Sequence, residues 1–136
     1  MKQLYIILLS AIALTQSACN KETATTQTDV MNSMLVNKTW YLDYTLTGTS
    51  SKSYVGQSTY FVTYYKEGTM LDSDGLTGTY RVEINNNQSQ IHVNVKTTNG
   101  NAIEQFYEIV SVGDSKMVLS KQVLTGTPVR LFFTNK

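Results

Sequence analysis

The sequence is poor in the residues that most often carry chemistry. Its 136 residues include one cysteine, one histidine, one proline and one tryptophan. A metal site built from clustered His and Cys is excluded by count, and so is an intramolecular disulfide. The histidine, His92, alternates with Ile91 and Val93 and should lie solvated on the outside of a strand. No nucleophile, base or metal set converges on one point, so we expect a protein that is not an enzyme and uses no cofactor.

The chain also lacks an excess of charge and a long hydrophobic run. It has 11 basic and 10 acidic side chains, so it has no basic surface of the kind that binds nucleic acid. The apolar run over residues 4–14 is shorter than the roughly 20 residues that span a bilayer. Scarce proline together with abundant Thr, Val, Tyr and Asn favours strands joined by tight turns.

The N-terminus has the layout of an export signal that ends at the single cysteine. Lys2 precedes the apolar run, small residues follow it, and the chain turns polar immediately after Cys19. Residues 17–19 (SAC) resemble the lipobox of bacterial lipoproteins, and the whole N-terminus resembles lipoproteins of Bacteroidetes-type bacteria. The resemblance implies a signal peptide over residues 1–18, lipid on Cys19, a flexible tether over residues 19–28 and anchoring in the outer membrane. The periplasmic and surface faces both stay open, and a plain signal peptide cut near Ala18 or Thr23 is the alternative.

Residues 29–136 have the length of one domain, and almost all of them show the alternation of strands. Residues 30–36 have helical spacing for a turn or two, with Thr28 or Asp29 as a possible cap. Beyond them, alternating stretches are separated by turns rich in Asn, Asp and Gly. These stretches cover residues 40–46, 60–64, 70–71, 80–84, 91–95, 106–110, 117–119 and 129–134. The pattern predicts an eight-stranded antiparallel up-and-down β-barrel, with a β-sandwich as the main alternative.

Three stretches resemble the lipocalin-like domains of Bacteroidetes lipoproteins. Residues 35–42 (LVNKTWYL) are similar to the first strand of that family, residues 64–69 (YYKEGT) to its next hairpin, and residues 76–80 (LTGTY) to the strand after the second turn. In true lipocalins the first-strand tryptophan packs at the closed end of the barrel against an arginine of the last strand. The resemblance gives Trp40 and Arg130 these structural roles, although alternation with Leu131 points Arg130 outward.

Tyrosine is the one enrichment that suggests a function. An eight-stranded barrel has an interior wide enough to hold one small ligand, and tyrosine rings offer apolar contact plus a polar group. We therefore predict a site for a small hydrophobic or amphipathic ligand at the barrel mouth, lined by Tyr44, Tyr60, Tyr64, Tyr80 and Phe106. The same rings could instead fill the barrel. In that alternative the protein is an interaction module that docks another envelope protein, with Tyr41 and Tyr65 exposed.

Overall fold

The barrel closes around eight antiparallel strand positions, as the alternation predicts. A computed structural model of the protein describes residues 26–57, 60–97, 99–124 and 126–136. One helix, α1 (Gln27–Leu35), precedes the strands β1 (Lys38–Thr47), β2 (Ser50–Ser53), β3 (Phe61–Tyr64), β4 (Thr69–Asp72), β5 (Thr77–Asn85), β6 (Gln88–Lys96), β7 (Ala102–Val112), β8 (Lys116–Lys121) and β9 (Val129–Asn135). From β3 to β9 each strand pairs with its neighbour in sequence, and β9 returns to pair with β1. The predicted all-β barrel is confirmed.

Two short strands share the second position around the barrel. β2 pairs with the second half of β1, through Thr45 with Lys52, and β3 pairs with its first half, through Thr39 with Thr63. Because both use the same edge of β1, they act as one interrupted strand, which is why nine strands form an eight-position barrel. The short polar strand β2 has no apolar alternation and was not predicted.

Helix α1 begins earlier than the sequence pattern suggested. Thr26 is the cap: its hydroxyl accepts from the backbone N–H of Asp29, and the Asp29 carboxylate accepts from the backbone N–H of Thr26. This reciprocal capping box satisfies two of the N–H groups left free at a helix start. The predicted cap at Thr28 or Asp29 is therefore wrong, and residues 27–28, assigned to the tether, belong to the helix. The predicted signal and the lipidation site Cys19 lie outside the described residues.

The helix covers one end of the barrel, which we call the closed end. Leu35 is fully buried, and its carbonyl accepts a 3.0 Å hydrogen bond from the indole N–H of Trp40. The side-chain oxygen of Asn32 lies 3.0 Å from the hydroxyl of Tyr80 on β5. Asn37 then turns the chain into β1 with a positive φ of 58°, a conformation that Asn tolerates better than most residues. In the part of the chain that the structure describes, no helix has the length and apolar character needed to cross a membrane.

A β-bulge in β1 changes which side chains face the interior. Leu42 pairs with Phe133 of β9, but the next pair is Tyr44 with Phe132, so Asp43 is the extra residue. The Asp43 carboxylate accepts a 3.2 Å hydrogen bond from the hydroxyl of Thr134. An extra residue in one strand reverses the alternation beyond it. Trp40 and Leu42 therefore point inward, whereas Tyr44 points outward.

Candidate functional site

The barrel interior is packed at the closed end and hollow toward the other end, which we call the open end. Leu35, Trp40, Ile91 and Met117 are fully buried at the closed end. Nearer the open end the walls surround a cavity of about 260 Å³. Partly exposed residues, among them Ile103 and Lys121, lie at its rim. The interior is therefore not completely filled by its own side chains.

Most of the cavity wall is aliphatic or aromatic. Leu42, Val62, Val93, Leu119 and Phe133 are buried side chains that face it from five different strands. They do so because inward residues alternate along each strand, and closure of the sheet turns all of these faces toward one axis. Such a wall favours the apolar part of a guest molecule by removing it from water.

Polar side chains interrupt this wall, mainly toward the open end. They are Tyr60, Tyr64, Asp72, Thr97, Gln105, Tyr107 and Lys121. The set comes from β3, β4, β7 and β8 and from the residues flanking β3 and β6. A mainly apolar cavity with a few convergent polar groups is the usual composition of a small-molecule site.

Three tyrosine hydroxyls form the centre of the polar set. Burial raises the pKa of Tyr64 well above its ordinary value, and the neighbouring Tyr60 and Tyr107 add to this effect. Burial also raises the pKa of Tyr60 and of Tyr107, and the carboxylate of Asp72 contributes to both shifts. All three hydroxyls therefore stay protonated at neutral pH. The hydroxyls of Tyr60 and Tyr64 form no hydrogen bond with another residue that the structure describes.

A second polar group lies where β7 and β8 run side by side. The Tyr107 hydroxyl donates to the side-chain oxygen of Gln105. Lys121, the strand partner of Tyr107, holds its ammonium group 5.6 Å from the centre of the Tyr107 ring. That distance is within the range of a cation–π contact. Among the described residues Lys121 has no acidic partner within ion-pair distance.

Asp72 is the buried acid of the cavity. One of its carboxylate oxygens accepts hydrogen bonds of 2.9 Å from the backbone N–H groups of Asp74 and Leu76. These bonds hold the turn between β4 and β5, which is the role that Asp often has in tight turns. The Asp72 carboxylate is therefore first of all a structural group, although its charge reaches the cavity.

The predicted ligand-binding residues divide into three groups. Tyr60 and Tyr64 line the cavity. Tyr80 is buried behind Tyr64, with ring centres 4.8 Å apart. Its hydroxyl is the donor toward two acceptors, the side-chain oxygen of Asn32 and the backbone carbonyl of Tyr65, each 3.0 Å away. Its pKa is raised to about 12 by burial. Tyr80 thus supports the wall without forming part of it.

The predicted inward positions of Tyr44 and Phe106 are wrong. Tyr44 lies beyond the bulge, is 39% exposed, and stacks on Phe132 of β9 with ring centres 4.2 Å apart. Phe106 is 47% exposed and occupies the outer face, because Gln105 and Tyr107 are the β7 residues that point inward. Both rings belong to the outer surface of the barrel.

The predicted pairing of Trp40 with Arg130 is also wrong. Trp40 does lie at the closed end, but its partner on β9 is Asn135. Arg130 is exposed and pairs with Leu46, several residues farther toward the open end. The cation beside the Trp40 ring is Lys38, whose ammonium group lies 5.6 Å from the ring centre.

His92 is more buried than predicted. It points outward from β6, but the ring of Phe106 stacks on it at 4.3 Å and leaves only 7% of the residue exposed. Neither ring nitrogen has a hydrogen-bond partner among the residues that the structure describes, and Nε2 lies 3.7 Å from the carboxylate of Glu104. The expected solvated histidine is therefore wrong, because an aromatic side chain of the next strand covers it.

The sequence interpretation missed five polar residues of the cavity: Asp72, Thr97, Gln105, Tyr107 and Lys121. Lys121 continues the alternation of Met117 and Leu119, so its inward position could have been read from β8. The inward position of Tyr107 could not be read in this way, because apolar residues of β7 occur at both parities. In the described residues, no group of three or more His, Cys, Asp or Glu side chains is arranged to hold a metal ion.

Comparison with known proteins does not identify the chain. No protein-family model matches it, and no curated protein is significantly similar to it. The resemblance to lipocalin-like lipoproteins therefore stays a prediction from the sequence, and the geometry of the barrel is the basis for the function proposed below.

Proposed function

We propose that this protein is a lipid-anchored binding protein that holds one small amphipathic molecule inside its barrel. The observation that carries the proposal is the cavity of about 260 Å³, walled mainly by apolar side chains and containing two tyrosine hydroxyls without a partner among the described residues. Each of these hydroxyls can donate a hydrogen bond to a guest molecule and accept one from it. A ligand that fills the apolar space would be removed from water and could hydrogen-bond to these hydroxyls at the same time.

The cavity volume sets the size of the ligand. An apolar protein cavity of about 150 Å³ holds a benzene molecule, so in proportion this cavity suits a guest of about ten non-hydrogen atoms. That is the size of a single aromatic ring with substituents or of a medium-length alkyl chain. A large lipid would have to leave most of its chain outside the barrel.

Anchoring forms the second half of the proposal and is supported by the sequence around Cys19. Two or three acyl chains, each contributing about 0.8 kcal/mol per buried methylene, would hold the barrel stably at a membrane. We expect radiolabelled palmitate to be incorporated into the protein in its host and Cys19→Ala to abolish the labelling. Retention of label in Cys19→Ala would contradict lipidation at this residue.

Ligand binding is tested with the protein from its own envelope and with a cavity-blocking variant. Native mass spectrometry should show a reproducible added mass that denaturation removes. Val93→Phe places a larger side chain in the cavity, and Val118→Phe makes the same change on the outer face of β8. The first variant should lose the added mass and the second should keep it.

The two variants also make a negative result informative. Circular dichroism and a cooperative unfolding transition should show that both remain folded. If folded Val93→Phe retains the same added mass as the wild type, the ligand is bound elsewhere and the cavity is not the site. If octan-1-ol, a neutral probe of suitable size, produces no saturable heat in titration calorimetry with wild-type protein, the proposal fails for this class of ligand.

A further inference from the structure

Two of the groups left available in the cavity can only donate hydrogen bonds, and two tyrosine hydroxyls can donate or accept. The Tyr60 and Tyr64 hydroxyls have no partner among the described residues, and burial keeps both protonated. Gln105 uses its side-chain oxygen to accept from Tyr107, so its amide NH₂ group remains available to donate. The ammonium group of Lys121 adds further donors and a positive charge.

Only one charged group of the cavity is restricted to accepting hydrogen bonds. The cavity contains one carboxylate, that of Asp72, and one of its oxygens already accepts two backbone hydrogen bonds in the β4–β5 turn. The hydrogen bonds from the turn stabilise that charge without a ligand. The ammonium group of Lys121, in contrast, lies 5.6 Å from the centre of the Tyr107 ring and has no acidic partner in the described parts of the chain.

We propose that the cavity selects small apolar molecules that carry a carboxylate group, with Lys121 as the residue that pairs with it. This inference rests on the proposed ligand-binding function and names the chemical class of the ligand. The carboxylate would lie near the rim, between Lys121 and the Gln105 amide, and the apolar body would extend toward Val62 and Leu119. Tyr60 and Tyr64 would donate to the remaining carboxylate lone pairs or to a second oxygen of the ligand.

Charge-assisted hydrogen bonds are the interactions that distinguish such a ligand from a neutral one. A hydrogen bond to a charged group contributes about 1.5–3 kcal/mol, which corresponds to roughly a tenfold or larger change in affinity. Lys121 is only partly buried, so water weakens its pairing and the lower end of this range applies. We therefore expect octanoate to bind about tenfold more tightly than octan-1-ol.

The test compares three probes of similar length, octanoate, octan-1-ol and octylamine, by titration calorimetry. The protein is the chain without the predicted signal and anchor, residues 20–136, which keeps every helix and strand described above. Lys121→Met should weaken octanoate binding about tenfold and change octan-1-ol binding less than about twofold. The matched control is Lys116→Met, which removes an exposed lysine at the opposite end of the same strand.

A third variant tests the sign of the charge effect. Asp72→Asn keeps the oxygen that accepts from Asp74 and Leu76 but removes the negative charge. Octanoate should then bind a few times more tightly, because a repulsive charge in the cavity has been removed. A cooperative unfolding transition similar to that of the wild type shows that the turn has survived the change.

The outcomes separate this inference from the proposed function. Equal affinity for octanoate and octan-1-ol, unaltered by Lys121→Met, would overturn the carboxylate preference and leave a neutral-ligand cavity standing. Preferential binding of octylamine would also overturn it and assign the dominant role to Asp72. Saturable binding of none of the three probes would overturn the proposed function and the inference with it.

Discussion

Leu35→Ala should destabilise the barrel strongly, because the Leu35 side chain packs into the closed end and fills it. Leu35 is fully buried although it belongs to the helix outside the sheet. The substitution leaves its backbone carbonyl in place, so the hydrogen bond from Trp40 remains possible. The experiment therefore measures the burial of one side chain and not the loss of a polar contact.

The expected magnitude follows from the atoms removed. Three carbon atoms leave the interior, at about 0.8 kcal/mol each, which gives about 2.5 kcal/mol. If the neighbours relax to leave about 40 Å³ of empty space, the cavity adds about 1 kcal/mol at about 24 cal/mol per Å³. The free energy of unfolding should therefore fall by about 3–4 kcal/mol, which is a large part of the 5–15 kcal/mol that is typical of a domain.

Urea unfolding followed by tryptophan fluorescence is a suitable assay. Trp40 is the only tryptophan in the sequence and packs beside Leu35, so its emission reports on this end of the barrel. The matched control is Val30→Ala on the same helix, where the side chain is 41% exposed and the change should be within about 0.5 kcal/mol. A loss below about 1 kcal/mol for Leu35→Ala would refute the reasoning and show that the helix is not part of the cooperative unit.

Three further predictions concern the barrel itself, and all are measured by urea unfolding. The free energy of unfolding should fall as the pH rises above about 10, because folded Tyr80, with a pKa of about 12, keeps a proton that the unfolded chain loses near its ordinary value of 10.0. Tyr80→Phe should make this decline smaller, and an equal decline in both proteins would contradict the assignment. Gly78→Ala should lower the free energy of unfolding by about 1–3 kcal/mol, because a Cβ there would lie 2.4 Å from the carbonyl oxygen of Asn94. Its control is Gly113→Ala, where a Cβ meets no atom within 4 Å and the free energy of unfolding should hardly change. Asn37 has a positive φ of 58°, so Asn37→Val should lower the free energy of unfolding by about 1–2 kcal/mol, whereas Asn37→Gly should not lower it. Equal effects of the two substitutions would exclude backbone strain as the cause.

Local alternation was a reliable guide where a strand is regular on both sides. In β6, Ile91, Val93 and Val95 alternate without interruption, and all three point into the barrel. Trp40 and Leu42 were assigned correctly for the same reason. In such strands the side-chain period of two depends only on the backbone, so the inward face can be read from the sequence alone.

Alternation did not predict side-chain orientation correctly where pairing with a neighbouring strand decides which residues point inward. The apolar residues 40, 42, 44 and 46 form an unbroken stripe in the sequence, yet the bulge at Asp43 turns Tyr44 outward. In β7, apolar residues occur at both parities, so the sequence does not show that Phe106 lies outside and Tyr107 inside. Both errors concern an orientation that is set by the register with a neighbouring strand and not by the residues themselves.

The sequence by itself determined most of the elements: a short helix, eight strands joined by tight turns, and their antiparallel order, with a closed barrel favoured over a sandwich. These follow from local periodicity, turn residues and the need to bury one face of each strand. Only the tertiary structure decided that the barrel is hollow near one end, and that Tyr60, Asp72, Gln105 and Lys121 meet there. The physical reason is that a cavity is the space left after registers, bulges and side-chain volumes from all strands combine, and no local segment of the chain contains that information.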